Sequence, residues 1–150
     1  MTAHSTMLSP EQLIDAARAP LLAYGHKDWK AVEASITPDY VYDEVATDRR
    51  VKGLDAVMAV WRGWATAFPD SKAKIHNALV SGNTVVMELT WQGTHTGPLV
   101  TPKGSIAATG KRIEWRACTV VEIDTEQGKA KMSRQYNDIG TLLQQLGITN

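Results

Sequence analysis

RIEWRACTVVEID (112–124), TEQG (125–128) and KAKMSRQYN (129–137) decide how this chain is read. The first and third stretches are rich in strand formers. The segment between them, Asp124 to Gly128, has the Asp and Gly chemistry of a turn, so the stretch predicts two long antiparallel strands. Alternation puts Ser133, Gln135 and Asn137 on one face of the second strand and Met132, Arg134 and Tyr136 on the other. The closing segment, Asp138 to Gly147, predicts a terminal helical turn.

Working backwards, Lys72–Val80 and Thr84–Gln92 read as two more strands joined at Ser81-Gly82-Asn83. In the second of these, Val85, Met87, Leu89 and Trp91 share one face, while Val86, Glu88 and Thr90 share the other. Gly93 to Gly110 reads as a long Gly/Pro/Thr loop, of a length that is usually functional or mobile. Leu54, Val57, Met58, Trp61, Ala65 and Phe68 recur at helical spacing and stop at Pro69-Asp70.

Tyr40 to Val45 reads as a strand preceded by a turn at Thr37-Pro38-Asp39, and Asp48-Arg49-Arg50 as a charged loop. Ser9-Pro10-Glu11-Gln12 is a helix start with a capping box, carrying Leu13, Ala17, Leu21 and Tyr24. Pro20 is expected to kink or divide that helix, because it lacks an N–H and clashes with the preceding turn. Asp28 is expected to cap a second short helix through Trp29, Val32 and Ile36. Residues 1–8 are expected to be disordered. The order is helices, a strand, a helix, then four strands, which is an α+β plan with helices packed on one face of a curved sheet.

The 150 residues predict one domain, and a chain of that size buries about 68–70% of its unfolded surface. The formal net charge is zero and no basic run of five occurs, which argues against nucleic-acid binding. Cys118 is the single cysteine, so no internal disulfide forms; inside an apolar strand it reads as a small hydrophobe. No charged-then-apolar leader opens the chain, and no apolar run approaches the roughly 18 residues of a membrane span. The expectation is a soluble, cytoplasmic protein with no membrane partner.

Several residues are candidates for chemistry. Asp43 lies between Val41 and Val45 on one strand face, where partial desolvation would raise its pKa and suit it as a base; the other reading is a strand-end aspartate bonding loop N–H groups. Glu88 is a buried acid if both sheet faces are covered, and a solvated side chain if they are not. Gln135 cannot exchange protons near neutral pH, but it can orient a water, a carbonyl or another acid. His95, in Gly93-Thr94-His95-Thr96-Gly97, titrates near neutrality and is either a proton carrier or a structural loop histidine. The five tryptophans suit a pocket for a flat apolar ligand, and suit a core or a dimer interface equally well. His4, His26, His76 and His95 have no metal-ligand spacing, and neither a CxxC nor a Gly-rich phosphate motif occurs, so no metal or cofactor is expected.

Taken in order, Pro38-Asp39-Tyr40, Gly53-Leu54-Asp55-Ala56-Val57, Phe68-Pro69-Asp70, the 93–97 motif, Thr109-Gly110-Lys111 and Gln144-Gln145-Leu146-Gly147 resemble the SnoaL-like polyketide cyclases of the nuclear transport factor 2-like superfamily. The resemblance runs from about Leu13 to Gly147. It implies a cone of curved antiparallel sheet around a deep pocket, with helices on the concave side, and commonly a homodimer through the outer sheet face. The acid/base aspartate of those cyclases falls at Gln135, their supporting histidine at Thr119, and an associated glutamine at Ala117.

The related limonene-epoxide hydrolases place an Arg-x-Asp pair and a last-strand aspartate where this chain has Glu88, Thr90 and Gln135. The steroid isomerases place a base where Asp43 stands, and their tyrosine meets Ala19. These substitutions leave two readings, a relocated acid–base site or a pocket that has lost its chemistry, and the reading favoured here is an enzyme of cyclase, isomerase or lyase type. It would act on a small, mostly apolar carbonyl compound by cofactor-free acid–base chemistry, with Asp43 or Glu88 as base and Gln135 and His95 in support. Tyr42, Trp61, Trp64, Thr90, Trp115, Thr119 and Asp138 are expected to contact the substrate. The alternatives are a non-catalytic small-molecule-binding homodimer, an epoxide-hydrolase-like enzyme with a rearranged site, or a protein-interaction scaffold.

Overall fold

A computed structural model describes residues 7–148. The expectation of disorder for residues 1–6 lies outside the described residues, and Leu8 packs against the core rather than standing free. The elements are α1 (Pro10–Gly25), α2 (Trp29–Ala34), β1 (Ile36–Glu44), β2 (Arg49–Lys52), α3 (Leu54–Ala67), β3 (Lys72–Ser81), β4 (Thr84–Thr94), β5 (Leu99–Thr101), β6 (Gly104–Ile106), β7 (Arg112–Asp124), β8 (Lys129–Asn137) and α4 (Ile139–Gln145). Six strands form one sheet in the order β2-β1-β8-β7-β4-β3, and β5 and β6 form a separate hairpin.

The β7–β8 pairing is antiparallel with Thr119 opposite Gln135 and Val121 opposite Ser133. Its turn is set by Asp124, whose carboxylate accepts the N–H groups of Glu126 and Gln127 at 3.0 Å, and by Gly128 at φ 65°. Every second residue of β7 from Ile113 to Ile123 is buried, so this face meets the helices. The sheet is antiparallel except for β1 beside β8, which run parallel. The chain leaves β1 through β2 and α3 and returns along β1, as β8, only after three more strands of the sheet.

Four local expectations are corrected. β1 begins at Ile36, not Tyr40. Pro38 has no N–H to pair, so the ladder skips from Ile36↔Ala130 to Val41↔Met132 as a bulge within the strand. Ile36 therefore belongs to the strand, and α2 stops at Ala34. Arg49–Lys52 is a four-residue edge strand on β1, not a loop; its exposed Arg50 and Lys52 suit an open edge. Finally, α1 runs unbroken through Pro20, which is buried. Packing there outweighs the one hydrogen bond that proline removes.

The 93–110 segment is more ordered than a loop. β4 continues to Thr94, and the β5–β6 hairpin folds back on α3. Leu99 is buried with Ala67, Phe68 and Trp115. The N–H groups of Thr96 and Gly97 both donate to the Ala67 carbonyl, so the segment lies against the end of α3. Among the described residues no helix is long and apolar enough to cross a membrane.

Candidate functional site

The concave face of the sheet and the inner faces of α1 and α3 enclose a cavity with a free volume of about 90 Å³. A single buried water needs only about 10–15 Å³, so the space holds several waters or a slender organic molecule. α1 contributes Ala17, Pro20, Leu21 and Tyr24, and α3 contributes Trp61, Trp64 and Phe68 at its end. β1 adds Tyr40 and Tyr42, β4 adds Trp91, β7 adds Ile113, Trp115, Thr119 and Val121, and β8 adds Ser133 and Gln135. Ser71 completes the wall. Eight of these are aromatic, so the walls are flat and largely apolar. Among the described residues no Asp, Glu or His side chain lines the cavity.

The aromatic wall is braced edge to face. Trp61 meets Tyr40 and Tyr42 with ring centroids 5.5 Å apart in each case, and Tyr24 meets Trp91 at 5.4 Å. The polar tips are tied. The Tyr40 hydroxyl donates to Ser133 Oγ at 2.5 Å, and Tyr24 Oη shares a 2.7 Å hydrogen bond with Ser71 Oγ. Burial pushes the Tyr24 hydroxyl up to about 12, and pushes Tyr40 and Tyr42 higher still, with the Glu44 charge adding to the shift at Tyr42. All three are neutral at physiological pH. Lys27 covers the outside of the Tyr24 ring, with Nζ 4.3 Å from its centroid, and donates to the Ser71 carbonyl. Burial lowers its pKa, and the Asp70 charge opposes that shift.

Behind Tyr42 and Trp64 sits a carboxylate that sequence reasoning missed. Glu44 is 2% exposed and accepts from Tyr42 Oη at 2.8 Å, Trp64 Nε1 at 2.7 Å, Thr47 Oγ1 at 2.5 Å and Arg49 at 2.8 Å. The available signal was parity: Tyr40, Tyr42 and Glu44 alternate with Val41 and Asp43, and only one set can face inward. The aromatic set faces inward. Asp43 lies on the outer face and does not line the cavity, so it is not placed as a base there.

Glu88 and Thr90 are also on the outer face. Glu88 is exposed and accepts from Asn77, and Thr90 bonds His76 at 2.7 Å. Glu88, with His76, Cys118, Tyr136 and Asp138, borders a wider depression of about 670 Å³ on that side. This hollow is larger than the cavity but open. Only Trp115 and Tyr136 are aromatic there, against eight aromatic residues around the inner cavity, so the inner cavity is the better ligand site.

Asp138 caps α4, accepting from the Gly140 N–H at 3.0 Å and the Thr141 hydroxyl at 2.7 Å. It does not line the cavity; its backbone carbonyl accepts the indole N–H of Trp115, which does, at 2.8 Å. His95 is fully buried but sits behind Phe68, stacked at 5.1 Å, and does not line the cavity. Its Nδ1 accepts the Thr109 N–H at 3.1 Å, which leaves the proton on Nε2. Burial lowers its pKa, with the Gly97 backbone opposing, so it is a neutral structural histidine.

Asp43, Glu88 and Gln135 therefore do not converge. What the fold does bring together is Tyr42, Trp61, Trp64, Trp115, Thr119 and Gln135. Gln135 Oε1 accepts from Trp91 Nε1 at 3.2 Å and from Thr119 Oγ1 at 3.4 Å. Among the described residues no cluster of three His, Cys, Asp or Glu side chains could hold a metal ion.

The architecture is similar to solved structures at low sequence identity. TsrD from Streptomyces laurentii is 22% identical, with 95% of this chain and 100% of that one covered and a TM-score of 0.79. An LEH-like epoxide hydrolase from M. tuberculosis is 24% identical over 91% and 90% of the two chains, with a TM-score of 0.70. A protein of ketosteroid isomerase-like fold from Catenulispora acidiphila, in complex with trimethylamine, is 16% identical over 95% and 96%, with a TM-score of 0.74. At these identities the likeness shows the fold alone. No curated protein sequence matches the chain. The family described as SnoaL-like polyketide cyclase matches residues 14–146, nearly the whole chain, and to that family the protein belongs.

Proposed function

We propose that the cavity takes up a small, flat, mostly apolar carbonyl compound and that the protein acts on it by cofactor-free proton transfer, in the manner of a cyclase or isomerase. The observation that carries this reading is the enclosure by eight aromatic side chains, with a few polar tips placed among them. The proton path that the geometry favours runs through Tyr42. A substrate proton taken up at Tyr42 Oη is matched by transfer of the tyrosine's own proton to Glu44 Oε2, 2.8 Å away. Three other donors hold Glu44 in place, so the geometry fixes Tyr42 and the substrate beside it, and positioning carries much of the effect.

A second reading, a ligand-binding protein without turnover, is favoured by the lack of any Asp, Glu or His in the wall among the described residues. In either case the protein works as a homodimer through the outer sheet face, where Leu79 and Tyr136 are 60% and 44% exposed. Light scattering tests the dimer.

One experiment separates the two readings. An acetylnaphthalene in D₂O exchanges its methyl protons through the enol, and NMR follows the exchange. The enzyme reading expects acceleration that falls by roughly 10²–10⁴-fold in Tyr42→Phe while binding is kept. Binding without acceleration supports the second reading, and no binding defeats both.

A further inference from the structure

The side-chain amide of Gln135 has a fixed polarity. An indole N–H can only donate, so the atom that faces Trp91 Nε1 must be the amide oxygen. The Thr119 hydroxyl donates to the same oxygen. Trp91 is on β4, Thr119 on β7 and Gln135 on β8, so two strands hold the oxygen end against the sheet. The Nε2 end has no partner among the described residues, and it is not one of their sealed-off polar atoms. Gln135 itself is 8% exposed and lines the cavity, so its two free N–H groups meet the open space. Ser133 lies two residues earlier on the same face. It accepts the Tyr40 proton, which leaves its own hydroxyl hydrogen to donate.

We infer that Gln135 is a specificity-determining residue: with Ser133 beside it, it admits flat apolar compounds that present an oxygen acceptor and discriminates against isosteres that lack one. Ketones, quinones and phenolates are the chemical class. The inference rests on the cavity being the ligand site and adds to it the sign of the hydrogen bond. An amide donor covered by an apolar ligand loses its water without replacement. That costs enough to separate matched ligands by roughly tenfold to a hundredfold in affinity.

The test uses an acetylnaphthalene and the matching isopropenylnaphthalene, which has CH₂ in place of the carbonyl oxygen and the same outline. Quenching of tryptophan fluorescence reports binding, because Trp61, Trp64, Trp91 and Trp115 line the site. The wild-type protein is expected to bind the ketone roughly tenfold or more tightly than the alkene. Gln135→Glu keeps an acceptor for Trp91 and Thr119 but turns the cavity end into an acceptor, so the ketone preference disappears and a naphthylamine gains. Trp91→Phe releases the amide and shrinks the preference with the fold intact, as checked by thermal melting.

Equal binding of ketone and alkene by the wild-type protein, or an unchanged preference in a folded Gln135→Glu, overturns the inference while the cavity reading stands. Binding of neither probe overturns the cavity reading, and the inference falls with it.

Discussion

The indole N–H of Trp64 donates to Glu44 Oε2 at 2.7 Å, tying the third helix to the end of the first strand. Glu44 is the shared acceptor of four side chains, one of them the Arg49 guanidinium. Removing it leaves four donors without this acceptor, Tyr42 buried and the other three partly so. Glu44→Ala is expected to cost about 3–5 kcal/mol, and Glu44→Gln less because an acceptor remains. Urea unfolding at neutral pH measures this; a loss below about 1 kcal/mol for the alanine variant would mean the donors find other partners easily.

Filling the cavity should separate ligand binding from folding. Ala17 is fully buried on α1 and lines the cavity. Ala17→Leu projects a larger side chain into that space at a cost of about 1–3 kcal/mol in stability. Binding of the acetylnaphthalene probe should be lost while the protein still melts cooperatively. Retained binding would place the ligand elsewhere.

The pH dependence of stability should carry the signature of His95. Its folded-state pKa is lowered from 6.5 by burial. Between that lowered value and 6.5 the unfolded chain binds the extra proton, so stability rises with pH in this window. The contribution is complete above 6.5 and is lost as pH falls below it. Protonation of Nδ1 would also break the bond from the Thr109 N–H. The melting temperature should therefore drop between about pH 7.5 and about pH 5.5, and His95→Leu should flatten that drop.

Gly97 sets how closely the hairpin sits on α3. A Cβ there would stand 2.0 Å from the Thr66 carbonyl oxygen, a backbone atom that cannot swing aside. Gly97→Ala should displace the segment and break its N–H bond to Ala67. Hydrogen exchange over residues 96–106 should speed up markedly while the amides of β7 stay protected. Unchanged exchange in the hairpin would mean that the backbone adapts locally.

Asp43→Asn and Glu88→Gln should leave probe binding and proton exchange within about twofold of the wild-type protein, because neither side chain reaches the cavity. A tenfold loss in either variant would require the ligand to touch the outer face.

The contrast between Glu88 and Glu44 explains what was legible in the sequence. In β4 the inward set, Val85, Met87, Leu89 and Trp91, is uniformly apolar, so alternation alone assigned the faces correctly. The β7–β8 hairpin was equally clear, because its turn chemistry and both strand patterns agree. β1 is different. Both of its faces carry an acid and a bulky residue, and the bulge at Pro38 removes the reference point for counting. Parity alone could not choose Glu44 over Asp43; only the fold shows that the tyrosines face α3.

His95 was ambiguous for a related reason. A histidine after a strand titrates wherever it sits, and its isolation behind Phe68 depends on the hairpin folding back over residues distant in sequence. The edge strand β2 was hidden by its charges, which are what an unpaired edge tolerates.

The parallel pairing of β1 with β8 has a consequence for synthesis. Glu44 lies beside Gln135, so the first strand meets this neighbour only when the chain has grown by roughly ninety residues more. Until then β1 emerges with one hydrogen-bonding edge bare, and the cavity has no floor. The nascent protein must carry its aromatic wall part-assembled, with Tyr40, Tyr42 and Trp61 exposed to neighbours, until β8 has left the ribosome. Truncation near residue 128 would then yield an aggregating fragment rather than a smaller working protein.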